Sequence, residues 1–225
     1  MDIKISCIIP VYNEGKRVKK VLDAVIGHEL VDEIIVVNDG STDDSEKVLK
    51  EVDGIKLISY KKNRGKTGAV KAGFEESKND LVMMIDSDLV GLKKIDITAL
   101  IEPIKEGSVD ITMTMRKNSL MIFKLFGLDF ISGERVFRKS IIEDFNDLDK
   151  LPGFGLESFL NRILIKKKMR LKVVKWKNVV TPRKSVKFGW WKGTKGDIKM
   201  IKQIISVLGV SGIYKQYRKM LSLKV

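Results

Sequence analysis

Apolar and polar positions follow a repeating rhythm through the first part of the chain. Ile3 to Ile9 is a nearly continuous apolar run of strand length. After it, Val18, Val21, Leu22, Val25 and Ile26 recur at helical spacing, and Glu33 to Val37 is a second apolar run. Strand, helix, strand is the pattern of a parallel βαβ unit. The unit repeats. Ser41-Thr42-Asp43-Asp44 offers a helix N-cap with acids in the first turn, a helix runs to about Val52, and Ile55 to Tyr60 is the next strand. In a third round Gly65 to Gly68 is expected as a loop, Val70 and Phe74 mark the inner face of a helix, and Leu81 to Ile85 is the strand. Strands this uniformly apolar are covered on both faces, so the expected class is α/β, a mostly parallel central sheet flanked by helices.

Farther on, Val109 to Met115 alternates as a strand, an amphipathic helix begins at about Leu156, and Leu171 to Trp176 is another strand. From Phe188 the chain carries Trp190-Trp191, many lysines, and Ile198, Ile201, Ile204, Ile205 and Leu208 at helical spacing. Such a basic amphipathic tail either lies on an anionic bilayer or packs its apolar stripe on the domain with the lysines in water. Gly209 and Gly212 break the pattern, which sets Ile213 to Leu223 apart as a short helix.

With 225 residues, one domain can bury a full core. The sequence contains no run of eighteen apolar residues, and Met1 to Pro10 reads as a strand rather than a leader, so a cytoplasmic location is expected. Cys7 is the sole cysteine and lies in that strand, which excludes an internal disulfide. Lys plus Arg number 43 against 29 Asp plus Glu, a formal net charge of +14. That balance favours polyanionic partners: nucleic acid, anionic lipid headgroups or phosphorylated small molecules. No nucleic-acid motif is present and the basic residues are spread along the chain, so nucleic acid is not the expected partner.

In open parallel sheets, ligands collect outside the carboxyl ends of the strands. Each polar cluster of the first half sits at such an end: Pro10-Val11-Tyr12-Asn13-Glu14, Asn38-Asp39-Gly40-Ser41, Lys61 to Gly68, and Asp86-Ser87-Asp88. Asp86 and Asp88, like charges at the tip of a buried strand, can share a hard divalent cation that also takes oxygens from a diphosphate. Lys66, between Gly65 and Gly68, can approach a phosphate closely. Asp39 and Glu14 can accept from a base or ribose, and Tyr12 can stack. Together these parts form a nucleotide-diphosphate cradle.

The stretches "IIPVYNEG", "IIVVNDGSTDDS", "NRGKTGAVKAG" and "MMIDSDL", in this order, resemble the nucleotide half of GT-A fold glycosyltransferases of family 2 type. The resemblance implies a nucleotide-sugar donor and Mn²⁺ or Mg²⁺. Pro10, Tyr12, Glu14 and Asp39 would hold base and ribose. Asp86, with Ser87 beside it, would face ribose or metal, and Asp88 would ligate the metal on the diphosphate. It further implies a catalytic domain over residues 1–187, with a nucleotide half at 1–92 and an acceptor half at 93–187, followed by the tail at 188–225.

The acceptor half carries "FISGERVFRKSII" and "GFGLESFLNRILI". In the family a carboxylate opens the latter helix beside the acceptor, a place that Glu157 matches as general base of an inverting transfer; the plainer alternative is a cap on its own helix. "SGER" and "GFGLE" also resemble the glucosyl-3-phosphoglycerate synthases, which are retaining. In that alternative Glu157 orients the acceptor or sugar, and Arg135 and Arg138 grip an acceptor phosphate. The family's histidine after the last strand, which contributes to metal or diphosphate binding, is missing from "NVVTPRKSVKFGWWKG", where Thr181 or Arg183 would stand in, the latter by pairing with diphosphate oxygens rather than coordinating metal. The only histidine, His28, is expected at the surface. The acceptor is left open between a lipid-linked and a small phosphorylated molecule. Contact with the inner face of an anionic membrane and a homodimer are open options. A sugar-phosphate nucleotidyltransferase ranks below, since it requires a Gly-rich basic loop where Val11 to Gly15 stands.

Overall fold

The computed structural model describes residues 4–151, 155–182, 209 and 211–225. The strands are β1 (Ile5–Val11), β2 (Glu33–Asp39), β3 (Lys56–Tyr60), β4 (Leu81–Met84), β5 (Ile111–Arg116), β6 (Arg135–Arg138) and β7 (Leu171–Trp176). Between them run α1 (Gly15–Val25), α2 (Ser45–Lys50), α3 (Gly65–Glu76), α4 (Lys94–Lys105), α5 (Met121–Phe126) and α6 (Gly155–Lys166). They build one seven-stranded sheet in the order β3-β2-β1-β4-β6-β5-β7. Strand β6 is antiparallel to both neighbours and every other pairing is parallel. The α/β expectation therefore holds, and the sheet joins the two halves of the chain through β4 and β6.

Alternation along β1 shows why the sheet is covered twice. Cys7, Ile9 and Val11 point into a core shared with α1 and α4, whereas Ile8 points into a second core with Val70 and Phe74 of α3 and Leu156, Leu160 and Leu164 of α6. Residues 211–221 are helical, and Met220 is buried in that second core. The short helix expected at Ile213 to Leu223 thus packs on the domain. The tail's tryptophans and its stripe from Ile198 to Leu208 lie outside the described residues, as does Arg183.

The order reverses between β1 and β4, and Pro10 marks the opening there. The ladder between them ends at Ile8 opposite Met84, followed by Ile85 N–H to Ile8 O at 3.1 Å. Pro10 lies beyond it, paired only with β2, where a missing N–H breaks no bond on the β4 side. A crevice at the carboxyl end of the sheet results.

Two local expectations are corrected. Gly65 to Gly68 is the first turn of α3 rather than a loop. The turn into the helix is made at Gly65 itself, whose φ of +82° is open to glycine, so the helix starts at once and carries Lys66 in its first turn. His28 is buried rather than a surface residue. Its Nδ1 lies 3.1 Å from the Leu30 N–H that donates to it, and its Nε2 lies 3.1 Å from Lys94 O. The loop after α1 is folded under the start of α4, and the histidine joins the two.

Candidate active site

The loops after β1 and β2 are sewn together by Asn13, in the left-handed region at φ 55°. Its Oδ1 accepts the Thr42 N–H at 2.7 Å, and its own N–H donates to Ser41 Oγ at 3.0 Å. Asp39, at the end of β2, accepts the Arg64 N–H at 2.7 Å, which ties that loop to the start of α3. Burial raises the Asp39 pKa, and the amides of Arg64 and Gly65 offset part of the rise. Glu14 pairs with Arg17 at 2.8 Å.

These ends enclose a cleft of about 680 Å³ lined by Pro10, Val11, Tyr12, Glu14, Asp39, Asn63, Gly65, Lys66, Ala69, Asp86, Ser87 and Asp88. Every residue expected to hold the nucleotide or the metal is therefore brought to one wall. Tyr12 is 48% exposed and presents its ring to the opening.

At the floor Lys66 Nζ sits 2.7 Å from Asp86 Oδ1 and 3.1 Å from Glu157 Oε1. The Glu157 carboxylate, in the first turn of α6, thus reaches across to α3. Burial works against the ammonium, but Asp86 and Glu157, with Glu134 behind them, hold the Lys66 pKa above its ordinary value. Gly133 closes the floor from below: a Cβ there would lie 2.5 Å from Lys66 Nζ and 3.0 Å from Asp86 Oδ2. Any side chain at 133 would press the pair apart.

Beside this floor lies a polar network that sequence reasoning missed. Arg116, the last residue of β5, donates to Glu134 Oε1 at 2.9 Å and to Thr181 Oγ1 at 3.0 Å, and its guanidinium is 3.8 Å from Asp129 Oδ2. Thr114 and Ser132 both donate to Glu134 Oε2, at 2.7 and 2.8 Å, and Ser119 Oγ donates to Asp129 Oδ2 at 2.6 Å. Burial disfavours the Arg116 charge, yet Glu134 and Asp129, joined by Asp86 and Asp88, raise its pKa. Thr181, offered in place of the missing histidine, is thus a partner of Arg116. A signal for Arg116 existed: β5 runs parallel to β4 across β6, so its polar carboxyl end falls on the same edge as Asp86.

Arg135 and Arg138, expected to grip an acceptor phosphate, are engaged by other groups in the structure. Arg135 is 0% exposed and donates to Ser132 O at 2.8 Å, Phe130 O at 3.0 Å and Asn161 Oδ1 at 2.7 Å, so it braces the 129–134 loop against α6. Burial pulls its pKa down to about 10. Arg138 pairs with Leu81 at the amino end of β4, on the opposite edge of the sheet, and meets Asp80 at 3.3 Å. With both side chains of that pair exposed, Arg138→Ala is expected to cost less than about 1 kcal/mol in chemical denaturation. Ligand-induced melting shifts should be unchanged, and a lost shift would return Arg138 to the site.

Whether these residues suit a divalent cation is settled by the donor set. Among the described residues no group of three His, Cys, Asp or Glu side chains is gathered to hold an ion. Asp86 and Asp88 supply hard oxygens at one rim, one of them already engaged by Lys66. This fits an ion that draws its remaining ligands from a diphosphate and water, as Mg²⁺ and Mn²⁺ do, and does not fit an all-protein cage.

Comparison with known proteins agrees with this geometry. A dolichyl-phosphate beta-glucosyltransferase of Trichomonas vaginalis is 35% identical over 108 residues, 42% of this chain and 32% of its own. An undecaprenyl-phosphate 4-deoxy-4-formamido-L-arabinose transferase of Aeromonas hydrophila is 38% identical over 127 residues, 52% of this chain and 38% of its own. The matched stretch thus spans about a third of the length of these relatives. Among solved structures, the glucosyl-3-phosphoglycerate synthase of Mycobacterium tuberculosis, in complex with Mn²⁺, uridine diphosphate and glucosyl-3-phosphoglycerate, superposes with a TM-score of 0.66 at 21% identity. It covers 91% of this chain and 79% of that one. That likeness shows a shared GT-A fold. The profile described as "Glycosyl transferase family 2" matches residues 6–160, and the chain belongs to that family.

Proposed function

We propose that this chain transfers a sugar from a nucleoside-diphosphate sugar to a lipid-linked phosphate, with a divalent cation bound between Asp88, Asp86 and the donor diphosphate. The observation that carries the reading is the meeting of the ends of β1, β2 and β4 and the start of α3 around one cleft with Lys66 at its floor. Tyr12 and Pro10 flank the base, Asp39 and Glu14 accept from base or ribose, and Ser87 lines the diphosphate side. The cation would neutralise charge on the departing nucleoside diphosphate. Lys66 adds a positive charge beside it, held in place by Asp86 and Glu157. The acceptor class follows the names of the relatives matched at 35% and 38% identity, each of which contains a polyprenyl phosphate.

A phosphate acceptor attacks through an oxygen that is already anionic. Glu157 then serves the reaction through Lys66, and it takes a proton only where the attacking group is a hydroxyl. Transfer to a small phosphorylated acceptor, in the manner of the structural relatives, keeps the same donor half.

A melting series tests the donor half. Uridine diphosphate with Mn²⁺ should raise the melting temperature, since a ligand that binds the native state stabilises it, whereas Mn²⁺ alone should do little because the described residues offer no complete cage. Asp88→Asn should erase the part of the shift that depends on the ion and leave the apo melting temperature near wild type. No nucleoside diphosphate producing a shift, with either Mn²⁺ or Mg²⁺, would sink the reading.

A further inference from the structure

The helix α5 is built unlike the others. None of its residues is buried, and Leu120, Met121, Ile122, Leu125 and Phe126 are 52, 78, 57, 78 and 50% exposed. Phe123 turns inward, onto Phe130 at 5.4 Å and Tyr217 at 6.4 Å between ring centroids. A contiguous apolar surface of this kind marks a binding face rather than ordinary surface. The exposed charges of its own segment and of the 211–225 segment are all cationic. Residues 117–128 and 211–225 contain no Asp or Glu, but they hold Lys117, Lys124, Lys215, Arg218, Lys219 and Lys224, all exposed. A Cβ at Gly127 would lie 2.7 Å from Lys224 Nζ, which places that ammonium directly at the end of α5, and Phe126 meets Tyr217 of the 211–221 helix at 5.9 Å.

We infer that α5 and the exposed side of the 211–221 helix form a docking face for an anionic lipid bilayer, with Met121, Ile122, Leu125 and Phe126 entering the interface and the surrounding lysines and Arg218 on the headgroups. A second copy of the chain fits this face worse. In a two-fold contact the patch meets itself, and an acid-free cationic rim would be set against its own like. The bilayer supplies both the apolar interior and the opposite charge.

The face is also well placed. Strand β5 runs parallel to β4 across β6, so α5 emerges on the edge that carries Asp86. Ser119, just ahead of α5, donates to Asp129 at 2.6 Å, in the network that joins Arg116 to Glu134. Docking would therefore bring the cleft down to the level of the lipid phosphates. That link to catalysis rests on the proposed lipid-linked acceptor; the binding of the face to lipid does not.

Co-sedimentation of the full chain with vesicles tests it, using phosphatidylcholine alone and phosphatidylcholine mixed with phosphatidylglycerol. Wild type should bind the mixed vesicles, and bind them less as salt rises. Met121→Ser with Leu125→Ser should weaken that binding about tenfold or more, because two large apolar groups no longer leave water. Lys124→Gln with Lys224→Gln should weaken it roughly twenty-five-fold, at about a fivefold loss per headgroup contact. All four side chains are exposed, so the variants should melt with wild type. The inference is overturned if wild type ignores the mixed vesicles or if the serine variant binds as wild type does. It is equally overturned if light scattering shows a dimer that the serine variant breaks, which would make the patch a subunit interface. The uridine diphosphate shift is read in the same samples. Its absence in wild type would end the transferase reading without touching the vesicle result, and vesicle binding lost with the shift intact is the outcome the docking face requires of the serine variant.

Discussion

Arg116→Met should lower stability by about 3–5 kcal/mol, the usual cost of removing one partner from a buried ion pair. For a chain of this size that is a fall in melting temperature of roughly 10 °C. The side chain is 15% exposed and Glu134 is 0% exposed. Methionine fills the volume but leaves Glu134 buried without its 2.9 Å partner and Asp129 without its nearest cation. The Thr181 hydroxyl loses its donor too, so the 178–182 segment, held to the rim by the Val90–Val180 bridge, should loosen. Arg116→Lys should fare little better, since a single ammonium cannot take the place of both Nη1, which serves Glu134 and Thr181, and Nη2, which faces Asp129. Adding Glu134→Gln to Arg116→Met should recover a large part of the loss, because it removes the stranded charge. An Arg116→Met protein melting within about 2 °C of wild type would show that the network carries no such weight.

Much of the nucleotide half was legible because period and punctuation agree there. Runs such as Ile34 to Val37 and Leu81 to Ile85 can only be strands buried on both sides, and parallel order puts their polar ends on one edge. Asp39, Asp86 and Lys66 could thus be placed in one site before any contact was known. The acceptor half resisted for physical reasons. Strand β6 has only four residues, too few to display a period, and nothing local states that it runs against its neighbours. Direction decides everything for its arginines: Arg135 falls inside the sheet's carboxyl end and Arg138 at the other edge. Charge suggested that both meet solvent or phosphate. Burial of Arg135 depends instead on carbonyls of Ser132 and Phe130 and on Asn161 from α6, partners set by the tertiary fold.

Arg116 and Glu134 were missed for a related reason. Each looks like an ordinary charged residue ending or preceding a short strand, and their pairing spans the long connection between β5 and β6 that contains α5. Gly133 carried a signal of a kind that sequence alone cannot interpret. Its small size matters because of what lies above it, the Lys66–Asp86 pair.

The second large effect is at the floor of the cleft. Lys66→Met removes the cation that lies 2.7 Å from Asp86 and 3.1 Å from Glu157, and Glu157 is only 4% exposed there. Lys66 is itself 31% exposed, so solvent relieves part of the cost, and a loss of about 2 kcal/mol is expected rather than the full value for a sealed pair. Affinity for uridine diphosphate with Mn²⁺, measured by calorimetry, should fall about a hundredfold, as when one member of a hydrogen-bonded charge pair is truncated at a binding site. A distinctive sign should accompany these losses. With the ammonium gone, Asp86 and Glu157, which face the same nitrogen at 2.7 and 3.1 Å, are left uncompensated, and a hard divalent ion that completes its shell with water is the natural replacement. Mn²⁺ without nucleotide should therefore raise the melting temperature of Lys66→Met, although it leaves wild type almost unmoved. Glu157→Gln added to Lys66→Met should restore stability and abolish that response together, since both arise from the same buried carboxylate. If Lys66→Met melts with wild type and binds the nucleotide as tightly, Lys66 is a bystander at the rim, and the charge arrangement assigned to this floor is wrong.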